Sequence, residues 1–399
     1  MTGQDRSPRI AMSNVVICPD SLLSQNPMAT IFDVAQLAGV SIKTVSRVVN
    51  REPRISPETF EKVSRAIEML GYEPHRGARL MRSGKSGLIG FITGLFSDIE
   101  IAQTRAGLSD LSILRGAQQA CRAAGKTLLA ADMGTGRSRD ADAVAKLLKT
   151  FASHRVEGVI YAAPYHQQVL LPPLKDTPLL LVNCFDLDHT PAVVPDDGLG
   201  QARVVDHLVA QGHRRIGYVG VDENMVAGRL RKAAFLDACA RHGLDPAHCP
   251  ALIGSTLQTP DPFTPLRPAL QQIVGRTPRP TALCLGNDVM ALEAIRELET
   301  LGLRVPQDIA VIGYDNDEVI CEVTRPRLST VVLPYFEMGQ IAVQRLLERI
   351  AGEPAPAEAW QRVAGEVIAR DSVSALAPVS TADTPAASTS TPTPAASLP

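Results

Sequence analysis

Between Ala38 and Asn50 the sequence AGVSIKTVSRVVN sets Val45, Val48 and Val49 at helical spacing on one face and Ile42, Lys43, Ser46 and Arg47 on the other. Gly39 makes the turn into this segment and Ser41 offers an N-cap oxygen. A short helix that exposes a hydroxyl, two cations and an apolar side chain near its start is suited to a DNA major groove. Lysine and arginine match guanine edges or phosphate oxygens, and isoleucine can touch a thymine methyl. The same spacing also fits an ordinary helical bundle. A second stretch, HRGARLMRSGKSG from His75 to Gly87, carries the cations Arg76, Arg79, Arg82 and Lys85 and no acid. It is either a passive basic linker or a working element between the regions it joins. Gly77 makes an isolated helix there less favourable by about 1 kcal/mol relative to alanine.

These residues need elements to position them. From Thr30 to Gly71 the apolar spacing predicts three short helices, built on Val34, Leu37 and Ala38, on Val45, Val48 and Val49, and on Phe60, Val63, Ile67 and Leu70. Thr30, Ser41 and the Ser56-Pro57-Glu58 start supply N-caps, while Gly39 and Gly71 end helices. After Gly87 the pattern changes to short apolar runs, GLIGFIT, KTLLAAD, VEGVIYAAP, TPLLLVNC, RRIGYVG, PTALCLGN and DIAVIGYD, separated by amphipathic segments. Strands alternating with helices predict parallel sheets covered on both faces, and the length of this region predicts two α/β lobes. Ligands of such sheets sit beyond the carboxyl ends of the strands.

The expected division is a flexible extension at 1–27, a helix-turn-helix domain at 28–73, a hinge at 74–86 and a two-lobed domain at 87–373. The N-terminal lobe is expected at about 87–193 and 334–362, and the C-terminal lobe at about 194–333 and 363–373. Residues 374–399 are almost wholly Ala, Pro, Ser and Thr, a composition expected to be disordered.

Net charge is only -2, so any nucleic-acid binding must come from a local patch. The cysteines, seven in number and scattered from Cys18 to Cys321, form no C-x-x-C pair, which indicates a reducing compartment. His242, His248 and Cys249 come nearest to a metal-ligand cluster but read as helix-end and loop residues, so neither metal nor cofactor is expected. No apolar run reaches the roughly 18 residues of a membrane helix, and residues 1–27 lack a signal-peptide core, so a cytoplasmic location without membrane contact is expected. Catalysis is not expected. GTGRSRD lacks the lysine-serine pattern of a phosphate loop, and neither a G-x-S-x-G elbow nor a dinucleotide fingerprint occurs.

The stretch ATIFDVAQLAGVSIKTVSRVVN, followed by RISPETFEKVSRAIEMLGYEP, closely resembles the DNA-binding domain of the lactose-repressor (LacI) family of bacterial transcription regulators. LRGAQQACRAAGK, HRVEGVIYAAP, QGHRRIGYVG, PTALCLGNDVMAL and RVPQDIAVIGYDN resemble that family's periplasmic-binding-protein-like effector domain. The resemblance implies a homodimer on a pseudo-palindromic DNA operator, with base contacts from Ile42, Lys43 and Arg47. It also implies phosphate or neighbouring contacts from Thr44, Ser46, Asn50 and Arg54. Thr44 has a plainer reading as a helix-start residue. In the hinge it puts Ala78 at a small-residue position and Met81 where the family mostly has a leucine that wedges into the minor groove.

At the family's ligand positions this chain has Asn183, Arg231, Asn287, Asp315 and Tyr335. Such amides, a cation, a carboxylate and an aromatic suit a polyhydroxyl effector, expected to be a sugar or sugar derivative. Ala234 and Glu293 stand where the family frequently has glycine. The resemblance implies an effector-controlled repressor. Two alternatives stay open at this level: a corepressor-type regulator answering to a nucleobase or other metabolite, and a solute-binding protein of a transport system. The latter would need an export signal and no DNA-binding helices.

Overall fold

The helices of the first region arise where capping groups meet apolar spacing. In the computed structural model, which describes residues 29–49, 52–53, 55–72, 85–94, 109–133, 141–172, 177–259, 261–354 and 358–376, α1 spans Ile31–Ala38, α2 Ile42–Val49 and α3 Pro57–Leu70. The Thr30 hydroxyl accepts from the N–H of Asp33 while the Asp33 carboxylate accepts from the N–H of Thr30, a reciprocal cap. Gly39, at φ 62, ends α1 in the left-handed region and turns the chain into α2. Ser56 caps α3 with Pro57 in its first turn. Val34, Ala35, Val45, Val48, Val63 and Ala66 form the buried core. Leu37 and Phe60, expected inside by spacing, are 50% and 42% exposed; Ala35 and Ala66 take the interior positions instead.

By its contacts the chain divides into Met1–Ser86 and Gly87–Pro399. The second unit holds two parallel sheets. The first has the order β11-β5-β4-β3-β1-β2, with β1 at Leu88–Thr93, β2 at Thr127–Asp132, β3 at Gly158–Gln168, β4 at Leu179–Phe185, β5 at Ala192–Pro195 and β11 at Trp360–Val363. Helices α4 (Ser109–Ala123) and α11 (Tyr335–Ile350) belong to the core on one face, and α5 (Ala141–Ser153) to that on the other. The second sheet has the order β7-β6-β8-β9, from β6 (Ile216–Gly220), β7 (Ala251–Ile253), β8 (Ala282–Leu285) and β9 (Ala310–Ile312). It lies between α6 (Asp197–Ala210) and α7 (Val226–Arg241) on one face and α8 (Leu266–Val274), α9 (Asp288–Thr300) and α10 (Glu318–Val323) on the other. A short antiparallel pair, β10 (Thr330–Val331) with β12 (Val367–Ile368), lies where the chain passes between the sheets.

The expected fold class, a helical N-terminal region followed by a two-lobed α/β region with parallel sheets, is the observed one. One boundary moves. Residues 374–376, assigned to the disordered tail by composition, are bonded to the second sheet's lobe: the Ser374 carbonyl lies 3.2 Å from Nε2 of buried His213, and the Leu376 N–H donates to the carbonyl of Gln211. These two backbone attachments offset the low apolar content of the segment. The extension at 1–27, the hinge centre and residues 377–399 lie outside the described residues.

Two features of the fold shape the site. Strand β3 pairs in register with β4 at Ala162 and Val182 and next at Gln167 and Cys184, so β3 advances five residues while β4 advances two. This bulge turns Pro164, Tyr165 and His166 away from regular pairing at the strand's carboxyl end. On the opposite wall α4 and α11 cross at glycines: a Cβ on Gly116 would meet the Phe336 carbonyl oxygen at 1.9 Å, and one on Gly339 would meet that of Ile113 at 2.2 Å. Tyr335 and Phe336 of α11 and Ser112 and Arg115 of α4 border one cavity.

Candidate functional site

On α2, Ile42 is 40% exposed and Lys43 is exposed, which leaves both able to meet a partner surface. Thr44 is tied to the helix start: its N–H donates to the Ser41 hydroxyl at 3.2 Å, and the two hydroxyls lie 3.0 Å apart. Ser46 is half-buried. Arg47 turns back on its own chain, donating to the Pro53 carbonyl at 3.3 Å and pairing with Glu52 at 3.3 Å. Asn50, Arg54, Ala78 and Met81 lie outside the described residues.

In the second unit a cavity of about 820 Å³ opens at the carboxyl ends of strands from both sheets, and Asn183, Arg231, Asn287, Asp315 and Tyr335 all line it. Asn287 caps α9, its side-chain oxygen accepting from the N–H of Met290 at 2.7 Å, which leaves its amide nitrogen as the group available to a ligand. Asn183 donates to the Ala163 carbonyl at 3.0 Å, and its buried Oδ1 has no hydrogen-bond partner among the described residues. Asn183, Asp315 and Asn316 have φ of 58, 122 and 58, so three cavity residues hold backbone conformations that side chains other than glycine seldom adopt.

The floor is organised by a carboxylate that sequence reasoning missed. Asp197, in the first turn of α6 and 1% exposed, accepts from Nε of Arg231 at 2.7 Å through one oxygen and lies 2.7 Å from Nδ1 of His166 through the other. Burial opposes its charge, but the Arg231 guanidinium and the His166 contact prevail and hold the carboxyl below its ordinary range. Arg231 also donates to the Gly286 carbonyl at 2.7 Å, stacks 3.6 Å from the Tyr314 ring centre and lies 3.8 Å from an oxygen of Asp315. Burial pushes the Asp315 carboxyl well above its usual value; Arg231 opposes this, and Asp288 and Asp197 add to it. Asp288, the first residue of α9, is fully buried and accepts from Thr330, from the Asp317 N–H and from the Cys321 thiol. Burial pushes its carboxyl up to about 7.

Two family models match: bacterial regulatory proteins of the lacI family over residues 30–75, and a periplasmic binding protein-like domain over residues 205–373. The HTH-type transcriptional repressor PurR of Edwardsiella ictaluri (strain 93-146) is 31% identical over 343 residues, covering 82% of this chain and 92% of that protein. The chain belongs to the LacI family. As a LacI-family member it is a DNA-binding transcriptional regulator with a periplasmic-binding-protein-like domain for a small-molecule effector. The LacI-family ribose operon repressor of Escherichia coli (strain K12) is 30% identical over 327 residues, covering 81% of this chain and 93% of that protein. The Lac repressor dimer bound to operator and the anti-inducer ONPF superimposes with a TM-score of 0.66 at 27% identity, over 87% of this chain and 99% of that one. These relatives are regulators and not enzymes. No helix among the described residues is long and apolar enough to cross a membrane.

Proposed function

We propose that the protein is a repressor acting in the cytoplasm as a homodimer on a pseudo-palindromic operator, and that a polyhydroxyl effector bound in the 820 Å³ cavity controls its affinity for DNA. In this reading residues 28–73 form the DNA head, 74–86 the hinge and 87–373 the effector and dimerisation domain. Ile42 and Lys43 meet bases directly. Arg47 reaches DNA after leaving Glu52, and Thr44 serves the start of α2.

The observation that carries the effector half is the convergence of Asn183, Arg231, Asn287, Asp315 and Tyr335 on one cavity. Amides, a guanidinium and a carboxyl grouped with an aromatic side chain suit adjacent hydroxyls on a ring. The ribose operon named for one relative supports a sugar-like compound. Ligand and operator must affect each other reciprocally, and a ligand preferring the DNA-free arrangement releases the operator.

The test is a thermal-shift screen of the full chain against neutral sugars, sugar phosphates and nucleobases, since a bound ligand raises apparent stability by mass action. A stabilising polyol whose effect disappears in Asp315→Ala supports the reading. Stabilisation by nucleobases alone replaces it with the corepressor alternative.

A further inference from the structure

His166 lines the cavity, and its hydrogen-bonding role is set by Asp197, a carboxylate outside the cavity's lining. The β3 bulge carries it to the cavity edge, where it is 7% exposed and packs edge-on against Phe185 at 5.8 Å between ring centres. Its Nδ1 lies 2.7 Å from Asp197, which already accepts a charged bond from Arg231. An ionised carboxylate only accepts, so the proton in the His166–Asp197 bond belongs to Nδ1. In the neutral imidazole, Nε2 then carries a lone pair and no proton. A single buried carboxylate thus sets one group from the first sheet, His166, and one from the second lobe, Arg231.

The charges around this floor point the same way. Arg231 is already matched by Asp197 and the Gly286 carbonyl and lies near Asp315, so little of its charge remains for a ligand. Asp317 and Glu318 line the cavity as acids, while burial favours the protonated form of Asp315 and Asp288, and Arg115 is the other lining cation. An incoming phosphate would face the acids Asp317 and Glu318 and, on a neutral His166, the Nε2 lone pair. Arg115, exposed on α4, is the lining cation left to receive it.

We propose that His166 is an effector-contacting residue and Asp197 its positioning residue, and that together they make the cavity select a neutral polyhydroxyl compound, which donates a hydroxyl to His166 Nε2, over its phosphorylated counterpart. This rests on the effector reading above and adds to it the residue that discriminates by charge. Asp197→Asn removes the charge that matches Arg231 and lets an amide N–H donate to Nδ1, which turns His166 into an Nε2–H donor.

Two measurements test it. In the unliganded full chain with 13C-labelled histidine, the His166 ring signal, assigned by its loss in His166→Gln, is expected to show the Nδ1–H tautomer at neutral pH and the Nε2–H tautomer in Asp197→Asn. An Nε2–H ring in the unsubstituted protein overturns the proposal whatever the ligand. In parallel, D-ribose, D-glucose and cellobiose are titrated beside ribose 5-phosphate and glucose 6-phosphate. The expected result is binding of a neutral sugar with about tenfold weaker binding of its phosphate, and about tenfold loss in His166→Phe, the size of one hydrogen bond left unmade in a buried site. Tighter binding of a phosphate, or neutral-sugar binding unchanged in His166→Phe, overturns the proposal while leaving the effector reading standing. Binding of none of these compounds counts against the effector reading, and the tautomer measurement still decides the role of Asp197.

Discussion

Removing the Asp197 carboxylate is the most informative single perturbation of the effector domain. In Asp197→Ala the Arg231 guanidinium, 5% exposed, keeps the Gly286 carbonyl and a 3.8 Å approach to Asp315 but loses its 2.7 Å ionic partner. Breaking a buried pair by deleting one member costs on the order of 3–5 kcal/mol, because the other charge stays buried and unmatched. At roughly 2–4 °C per kcal/mol for domains of a few hundred residues, calorimetry at pH 7 should find the domain's Tm lowered by about 6 °C or more. Adding Arg231→Met removes the orphaned charge, so the double variant is expected to be less destabilised than the sum of the single ones, by about 1–3 kcal/mol. The pH dependence has a definite sign. A carboxyl held below its ordinary range contributes stability that is present above its unfolded pKa of about 3.9 and is lost as pH falls through the folded value. The gap between the unsubstituted protein and Asp197→Ala should therefore close as pH drops below about 4. A cost under about 1 kcal/mol at pH 7, or additive effects in the double variant, would refute the argument that this pair organises the floor.

Asp288 has the opposite sign: its carboxyl is raised to about 7 by burial, so the folded state holds a proton that the unfolded state releases, and stability declines as pH climbs from about 4 towards 7. Asp288→Asn should flatten that slope in urea titrations at a series of pH values; an unchanged slope assigns it to another group. In the DNA head, Lys43→Ala should cost about 1–3 kcal/mol in specific operator binding. Glu52→Gln, which frees Arg47 from its 3.3 Å ion pair, should tighten binding by up to about fivefold, as expected for a partly exposed pair; fluorescence anisotropy at fixed salt measures both. Gly339→Ala forces a Cβ onto the Ile113 carbonyl and should cost about 1–3 kcal/mol by separating α4 from α11. Unfolding in urea reads that cost, and a neutral result contradicts the close crossing.

Much of this was legible because local signals carry it. Thr30, Gly39, Ser56 and Gly71 mark helix ends through bonds to their own chain neighbours, and the strands of four or more apolar residues stand out as runs. The strands β5, β7, β10, β11 and β12 are two to four residues long, too short for a periodicity to register, and are made by pairing with what lies beside them. The five cavity residues came from family resemblance. His166 and Asp197 did not: an acid in the first turn of a helix ordinarily reads as a cap, and its partners lie 31 and 34 residues away in sequence. Nothing in VEGVIYAAP announces that β3 continues past Pro164 into a bulge. The resemblance presents Arg47 as a base-reading cation, and its attachment to Glu52 and Pro53 depends on how the chain after α2 returns.

In the proposed function one chain couples operator reading to occupation of the cavity. Selecting DNA from a random duplex pool with the full chain at moderate, stated salt, then measuring affinity for the enriched sequence with and without the polyol that stabilises the protein, tests it directly. The expected result is an enriched pseudo-palindrome and an affinity that changes by fivefold or more with the polyol, about 1 kcal/mol of coupling. A pool without sequence enrichment, or an operator affinity indifferent to the polyol at saturation, would contradict it.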